Sequence, residues 1–426
     1  MSGVTTEAAL TVVRVGLLGL GSVGQAVARG ATASSDRLAE AGLLVKCVAA
    51  LVRDADKPRV SPDVPLVTDG AAFPFERCDV IVEALGGVEP AHALVTQALS
   101  RGIPVVTANK SLIAAHGPAL QRLAATHGTS LHFEAAVLAG VPCVHTLARR
   151  PLASGSGAFA GILNGTSHYL LSRLAEGEPF AEALQEAVTR GYAEPASDND
   201  INGRDAAEKL TILLHLSGCS DVSVDDLPRR SIDDLEPWHI ACADRVNAQI
   251  KPVAVATLAG PARGSWVGPA LVPNTHSFAR VRGVTNILTV GTGPDAITFS
   301  GPGAGPDVTA ASVLDDVVEV VEGRQSVRRA PLSRVAADVL RHPPAGKWFI
   351  TVDWGPDAND GTRASDLVQF LAAHNVPAIG IVGERRRFGA VTAPATAAAV
   401  RGVADALAAA GAQTVWLPVF EEVTRG

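Results

Sequence analysis

Cysteine is sparse in this 426-residue chain: Cys47, Cys78, Cys143, Cys219 and Cys242 stand far apart, with no CxxC and no Cys/His pairing. That spacing argues against a disulfide framework or a cysteine-based zinc site and fits reduced thiols. Excess positive charge is lacking too. The formal net charge is −7, which speaks against nucleic acid or an anionic membrane as partner. Aromatic residues make up 4% and charged residues 19%, against 47% hydrophobic, so a disordered chain is excluded and a buried core is indicated. No basic residue precedes Arg14, so no secretory signal is expected. Apolar windows are interrupted by Gly, His, Glu or Arg before reaching membrane-spanning length. The expectation is a soluble, cytoplasmic protein of about two or three domains.

What the chain does have begins near its start. Thr11 to Leu18 is a continuous, β-branched apolar run, the pattern of a strand buried on both faces. It leads into Gly19-Leu20-Gly21-Ser22-Val23-Gly24 and then a helical AVARGA. Strand, GxGxxG and helix in that order predict a dinucleotide site. The first glycine permits the turn, the second lets pyrophosphate approach, and the third lets helix and strand pack. Further strands are predicted at 43–52, 79–85, 103–108 and 130–137, alternating with helices. This is the order of a Rossmann-type, doubly wound parallel sheet of α/β class. Ligands of such sheets bind beyond the C-terminal strand ends, where Arg53 to Lys57, Leu85-Gly86-Gly87 and Thr107 to Lys110 fall. Arg53, Lys57 and Arg59 favour NADP through its 2′-phosphate, whereas Asp54 on the ribose would mean NAD.

The stretch Gly191 to Leu210, GYAEPASDNDINGRDAAEKL, gathers Glu194, Asp198, Asp200, Asp205 and Glu208 around one lysine, Lys209. Asp205 and Lys209 are four apart and share a helix face. One reading is a grip on a small zwitterion, with carboxylates on its ammonium and the lysine on its oxygen end. The other is a solvated acidic loop with an exposed ion pair contributing about 0.3–0.5 kcal/mol.

Seven motifs agree in order over roughly residues 12–320, and together they resemble the homoserine dehydrogenase family: GLGSVG (19–24), VEALGG (82–87), TANK (107–110), EAAVLAGVP (134–142), GILNGTSHYLL (161–171), the 191–210 stretch and GPGAGPDVTAASVLDD (301–316). The resemblance implies interconversion of aspartate 4-semialdehyde and homoserine with NADP or NAD. It implies Lys110 as a catalytic lysine, with Asp205 and Lys209 sharing that role. Glu194, Asp200, Asp205 and Lys209 match substrate-binding positions, and Gly303 lies in a segment closing over the cofactor. Glu134 matches a ligand of a monovalent cation, Na+ or K+, whose backbone contacts would fall on Val137, Ala139 and Val141. A lysine beside the nicotinamide can polarise the carbonyl and protonate the developing alkoxide, and burial would lower its pKa. Departures from the family pattern are Ala196-Ser197, Ser167-His168-Tyr169 and Leu138-Ala139. They keep open a related reductase of another small semialdehyde. A non-catalytic NADP-binding regulatory protein is the alternative from a different class.

The division expected is a dinucleotide domain over 1–150, completed by a returning helix near 303–325, then an α+β substrate and dimerisation domain over 151–302. Within the latter, strands are predicted at 253–259 and 286–292 and a helix at 209–216. A Pro/Arg-rich linker (328–347) precedes strands at 348–354, 378–384, 388–393 and 414–420 and helices at 365–375 and 399–412. That β-α-β-β-α-β order is ferredoxin-like and resembles an ACT domain at 345–426, which implies either an amino-acid effector or a dimerisation platform. A homo-oligomer, dimer or tetramer, is expected.

Overall fold

The computed structural model describes residues 10–60, 63–149, 157–193, 198–258, 263–323, 337–355 and 364–421. Two compact units make up the chain: Met1–Arg149 with Ala304–Ala330, and Arg150–Gly303 with Pro331–Gly426. The first unit starts with β1 (Thr11–Leu18), α1 (Ser22–Ala33), α2 (Ser35–Glu40) and β2 (Leu43–Leu51). It continues through β3 (Leu66–Val67), β4 (Val80–Glu83), α3 (Ala91–Ser100), β5 (Val105–Thr107), α4 (Lys110–Thr126), β6 (Leu131–His132) and α5 (Val144–Arg149). Its six strands run parallel in the order β3-β2-β1-β4-β5-β6, the doubly wound order predicted. The strand expected over 130–137 stops at His132, and Glu134–Ala136 form a 3-10 turn instead. Asp316 accepts the Glu134 N–H at 3.0 Å, and the Glu134 carboxylate accepts those of Val144 and His145 at 2.9 and 2.7 Å. Side chains therefore take the bonds that a longer ladder would have used.

The second unit begins with β7 (Ala158–Ile162), α6 (Gly165–Ala175), α7 (Phe180–Thr189), the single turn α8 (Asp198–Ile201), α9 (Arg204–Leu216) and α10 (Pro237–Arg245). β8 (Ala248–Thr257), β9 (Gly264–Pro273), β10 (Thr285–Val290) and β11 (Ile297–Pro302) follow. Five strands form an antiparallel sheet in the order β11-β10-β7-β8-β9. The chain then returns to the first unit as α11 (Pro306–Val321). There Ala310, Val313, Leu314 and Val317 share a core with Val13, Val15 and Leu17 of β1 and Val27 and Ala28 of α1.

The C-terminal part is β12 (Trp348–Asp353), α12 (Ala364–Ala373), β13 (Ala378–Glu384), β14 (Arg387–Thr392), α13 (Ala397–Ala409) and β15 (Gln413–Pro418). The β-α-β-β-α-β order is the one read from the sequence. Its sheet order, β13-β14-β12-β15 with antiparallel neighbours, is ferredoxin-like. Within the second unit this sheet meets the five-stranded one where Leu271 bridges Val419. Trp266, Trp348 and Trp416 interlock there with ring centroids 5.4–6.4 Å apart, spacings typical of favourable aromatic contacts. Part of the linker read at 328–347 lies outside the described residues; Ala337–Arg341 is a 3-10 turn. Among the described residues, no helix is long and apolar enough to cross a membrane.

Candidate active site

The β1–α1 turn shows a distinct geometric reason for each of its three glycines. Gly19 has φ +103°, and a Cβ there would lie 2.6 Å from the Ala84 carbonyl oxygen. At Gly24 a Cβ would lie 2.2 Å from the Gly19 oxygen, so this glycine lets α1 close onto the turn. At Gly21 a Cβ would meet nothing within 4 Å, so the backbone lies open to a ligand at the head of α1. Ser22 is exposed and Val23 half-buried beside it, with the unpaired N–H groups of a helix N-terminus offered to phosphate. The residues present therefore fit a dinucleotide pyrophosphate.

Beyond β2, Arg53 and Lys57 are exposed. Arg59 is not available in the same way. Its guanidinium donates to the carbonyls of Asp54, Ala55 and Lys57 at 2.5, 3.3 and 2.8 Å, which pins the loop. The Asp54 carboxylate accepts the Asp56 N–H at 2.9 Å, a local turn bond.

Beyond β4 and β5 the sequence reading missed the organising residue. Glu83 is fully buried. It accepts from the Thr107 hydroxyl at 2.5 Å, the Leu85 N–H at 2.8 Å and the Asn109 amide at 3.2 Å. Asn109 also donates to the Gly87 carbonyl at 2.6 Å and caps α4 by accepting the Leu112 N–H at 3.1 Å. Burial pushes the Glu83 carboxyl above its ordinary value against the pull of those bonds. Glu83 thus joins Leu85-Gly86-Gly87, where Gly86 and Gly87 have φ +77° and +73°, to the loop presenting half-buried Lys110 at the start of α4. A lone carboxylate inside the apolar run VIVEAL was the available signal.

In the second unit, the Asp205–Lys209 pair is not the solvated pair of the plainer reading. Asp205 and Lys209 are 5% and 8% exposed. The Lys209 ammonium donates to Asp205 Oδ2 at 2.8 Å and to the Leu163 carbonyl at 2.7 Å. Asn164 donates to Asp205 Oδ2 at 2.8 Å and to Asp200 Oδ1 at 2.6 Å, while its own Oδ1 caps α6 through the Ser167 N–H at 2.7 Å. The NGT turn and the acidic stretch therefore come together, with Asn164 as a hub that sequence reasoning quoted but did not assign. Asp198 is exposed on α8, and Glu194 lies outside the described residues. The two tyrosines meet edge to face, with centroids 5.1 Å apart. Gly303 packs under Asn286, whose amide oxygen would lie 2.3 Å from a Cβ, so close packing already accounts for that glycine.

In the loop matched to a monovalent cation, Glu134, Val137, Ala139 and Val141 are buried, and the carbonyl of each has a protein donor. Glu134 O accepts from Val137 N at 3.2 Å, Val141 O from Cys143 N at 2.7 Å, Val137 O from Cys143 Sγ at 3.7 Å, and Ala139 O from the Ser312 hydroxyl. The Glu134 carboxylate caps α5. Leu138 takes φ +52°, a left-handed conformation costly for a side chain.

The comparisons with known proteins agree with one another. A family model described as “Homoserine dehydrogenase” matches residues 142–318, and one described as “Homoserine dehydrogenase, NAD binding domain” matches 19–134. The homoserine dehydrogenase of Synechocystis sp. is 37% identical over 321 residues, 72% of this chain and 73% of that protein. That of Mycobacterium tuberculosis is 33% identical over 420 residues, 93% of this chain and 94% of its own length, so its match extends into the C-terminal module. A solved homoserine dehydrogenase from Thiobacillus denitrificans superposes with a TM-score of 0.81 at 28% identity, covering 97% of this chain and 99% of that one. A glycine cradle for a dinucleotide, a buried lysine–carboxylate cluster and relatives of the same description along nearly the whole length lead to one conclusion: the chain belongs to the homoserine dehydrogenase family, NAD(P)-dependent oxidoreductases acting on a CH–OH group.

Proposed function

We propose that the chain interconverts L-aspartate 4-semialdehyde and L-homoserine with NADP, and that Lys209, held by Asp205, supplies the proton. The observation carrying this reading is the buried Asn164–Asp205–Lys209 cluster. An ammonium has three N–H donors; Asp205 and Leu163 take two, and the third is the one offered to the substrate oxygen. When bound, the nicotinamide provides or accepts the hydride. Asp205 fixes the Lys209 rotamer and balances its charge, so the ammonium is in place before substrate arrives. Asp200, oriented by Asn164, and Glu194 bind the substrate ammonium. Lys110, set by the Glu83–Thr107–Asn109 bonds, is the second lysine of the reaction and also borders the cofactor.

The preference for NADP rests on two exposed cations, Arg53 and Lys57, beside an Asp54 whose carboxylate is engaged in its own loop. Gly19, Gly21, Ser22, Val23, Gly24 and Gly86 form the backbone part of the cofactor site. The carbonyls of Glu134, Val137, Ala139 and Val141 each accept one protein donor, and no step is assigned to a monovalent ion there. The test is NADPH oxidation with a panel of small semialdehydes. Turnover is expected with aspartate 4-semialdehyde. Turnover on the others but none on that substrate overturns the reading.

A further inference from the structure

Behind the end of β6, a group of donors stands outside every role assigned above. His132 ends β6, His145 lies in α5 and Asp316 lies on α11, all within the first unit. One nitrogen of each ring and one carboxylate oxygen lie within 4.8 Å of one another. His132 is 3% exposed and Asp316 is fully buried. His132 Nδ1 and Asp316 Oδ1 are both buried without a hydrogen-bond partner. Two such groups at one place are costly unless something satisfies them.

An ion pair accounts for only one of them. His145 Nε2 lies 2.9 Å from Asp316 Oδ1 and Nδ1 lies 3.3 Å from Glu134 Oε2. The first contact pairs His145 with Asp316, and it does nothing for His132, whose Nδ1 stays without a partner. Two imidazoles and a buried carboxylate gathered this closely, one ring nitrogen bare, are a donor set an ion could share. Donors about 2.0–2.1 Å from a tetrahedral zinc are roughly 3.3 Å apart; His145 and Asp316 stand 2.9 Å apart and all three atoms lie within 4.8 Å, so small side-chain shifts would seat an ion. The surroundings also suit an ion. His132 Nε2 lies 3.1 Å from the Ser130 hydroxyl, which can accept its N–H and leave Nδ1 bare, the arrangement of a metal-bound histidine. Asp316 is oriented through its second oxygen by the Glu134 N–H at 3.0 Å.

We propose that His132, His145 and Asp316 form a binding site for a first-row divalent cation, with Zn2+ as the reference ion, that fastens β6 and α5 to the returning helix α11. Two imidazoles and one carboxylate suit Zn2+ or Co2+ and not Na+ or K+, so the site differs in donors and chemistry from a carbonyl loop. Its role is structural: the ion holds the segment that closes the nucleotide unit.

The test uses the full chain, stripped with a chelator and titrated with Zn2+ by calorimetry in excess KCl. One Zn2+ per chain is expected, with a higher melting temperature. Co2+ in its place is expected to give visible bands of a nitrogen/oxygen site without thiolate charge transfer. His145→Gln and His132→Gln are expected to abolish this binding. Ser130→Ala, at a half-buried position that no folding argument needs, is expected to weaken it about 10–100-fold. No saturable Zn2+ uptake by the parent chain overturns the proposal. So do thiolate bands with Co2+, displacement by KCl, or unchanged affinity in Ser130→Ala and the histidine variants.

Discussion

Asp205→Asn tests the core of the site because it keeps shape and helix while removing one charge. Asp205 Oδ2 accepts from Lys209 and from Asn164, both at 2.8 Å, and the carboxylate is 5% exposed. A carboxamide has one acceptor oxygen and one NH2 group. Both donors reach the same oxygen, so a carboxamide with its carbonyl there still accepts both but carries no charge. The Lys209 bond, worth about 1.5–3 kcal/mol when charge-assisted, becomes one to a neutral carbonyl, and the buried ammonium loses its counter-charge. Removing a partner outright from a buried pair costs about 3–5 kcal/mol, so the isosteric change should cost about 2–4 kcal/mol. For a unit of this size that lowers Tm by roughly 5–10 °C. In catalysis, misplacing the ammonium by the same energy lowers kcat/KM by about a hundredfold. Differential scanning fluorimetry and initial-rate NADPH oxidation on one preparation read both effects. A fall in Tm with normal kcat/KM refutes the catalytic role and leaves a structural ion pair. An unchanged Tm refutes the burial argument itself.

Arg53→Ala should weaken NADPH binding by about 1.5–3 kcal/mol while sparing NADH, read by fluorescence titration; equal losses would move the ribose contact to Asp54. Lys110→Ala should lower turnover by about a hundredfold or more with NADPH affinity largely kept, and parent-like turnover in steady-state assays would remove Lys110 from the chemistry. The protein should lose stability in mild acid. Burial, then Lys251 and Arg282, holds His168 down to about 3, and burial likewise holds His239 down to about 4, against an ordinary 6.5. Both folded values lie below the unfolded one, so the contribution is full above pH 6.5 and fades as pH falls toward 4. Urea midpoints at stepped pH should show this, with a shallower fall in His168→Gln; identical slopes would refute the assignment.

How far the sequence could be read followed the range of each signal. The β1–GxGxxG–α1 unit was legible because strand, turn and helix are contiguous and each glycine answers a local constraint. The strands β7, β9 and β11 were not foreseen. β9 carries Gly268 and Pro269, both unfavourable inside a strand, and Gly268 marks where Arg230 crosses: a Cβ would lie 2.7 Å from its carbonyl oxygen. β8 was read from Val253 but begins at Ala248, because Pro252 lies past Ala254, where the pairing with β7 ends. The Asp205–Lys209 spacing was visible, but its burial was not. Leu163 and Asn164 make that environment from some forty residues away, and helix periodicity carries no information about them. The same holds for Glu83, whose partners follow it by 24 and 26 residues.

The route of the chain out of the first unit at Arg149 and back at Ala304 bears on how the protein is made. α1 packs against α11, and Ala310, Val313, Leu314 and Val317 belong to the same core as β1. A ribosome must therefore release more than three hundred residues before the N-terminal sheet acquires its last layer. Until then Ala28 and Ala31 of α1 lack the apolar neighbours they have in the finished core, a surface open to chaperones and to misassembly. A fragment ending at Arg149 should be prone to aggregate, whereas the same fragment fused through a short linker to 304–323 should behave as a folded nucleotide-binding unit.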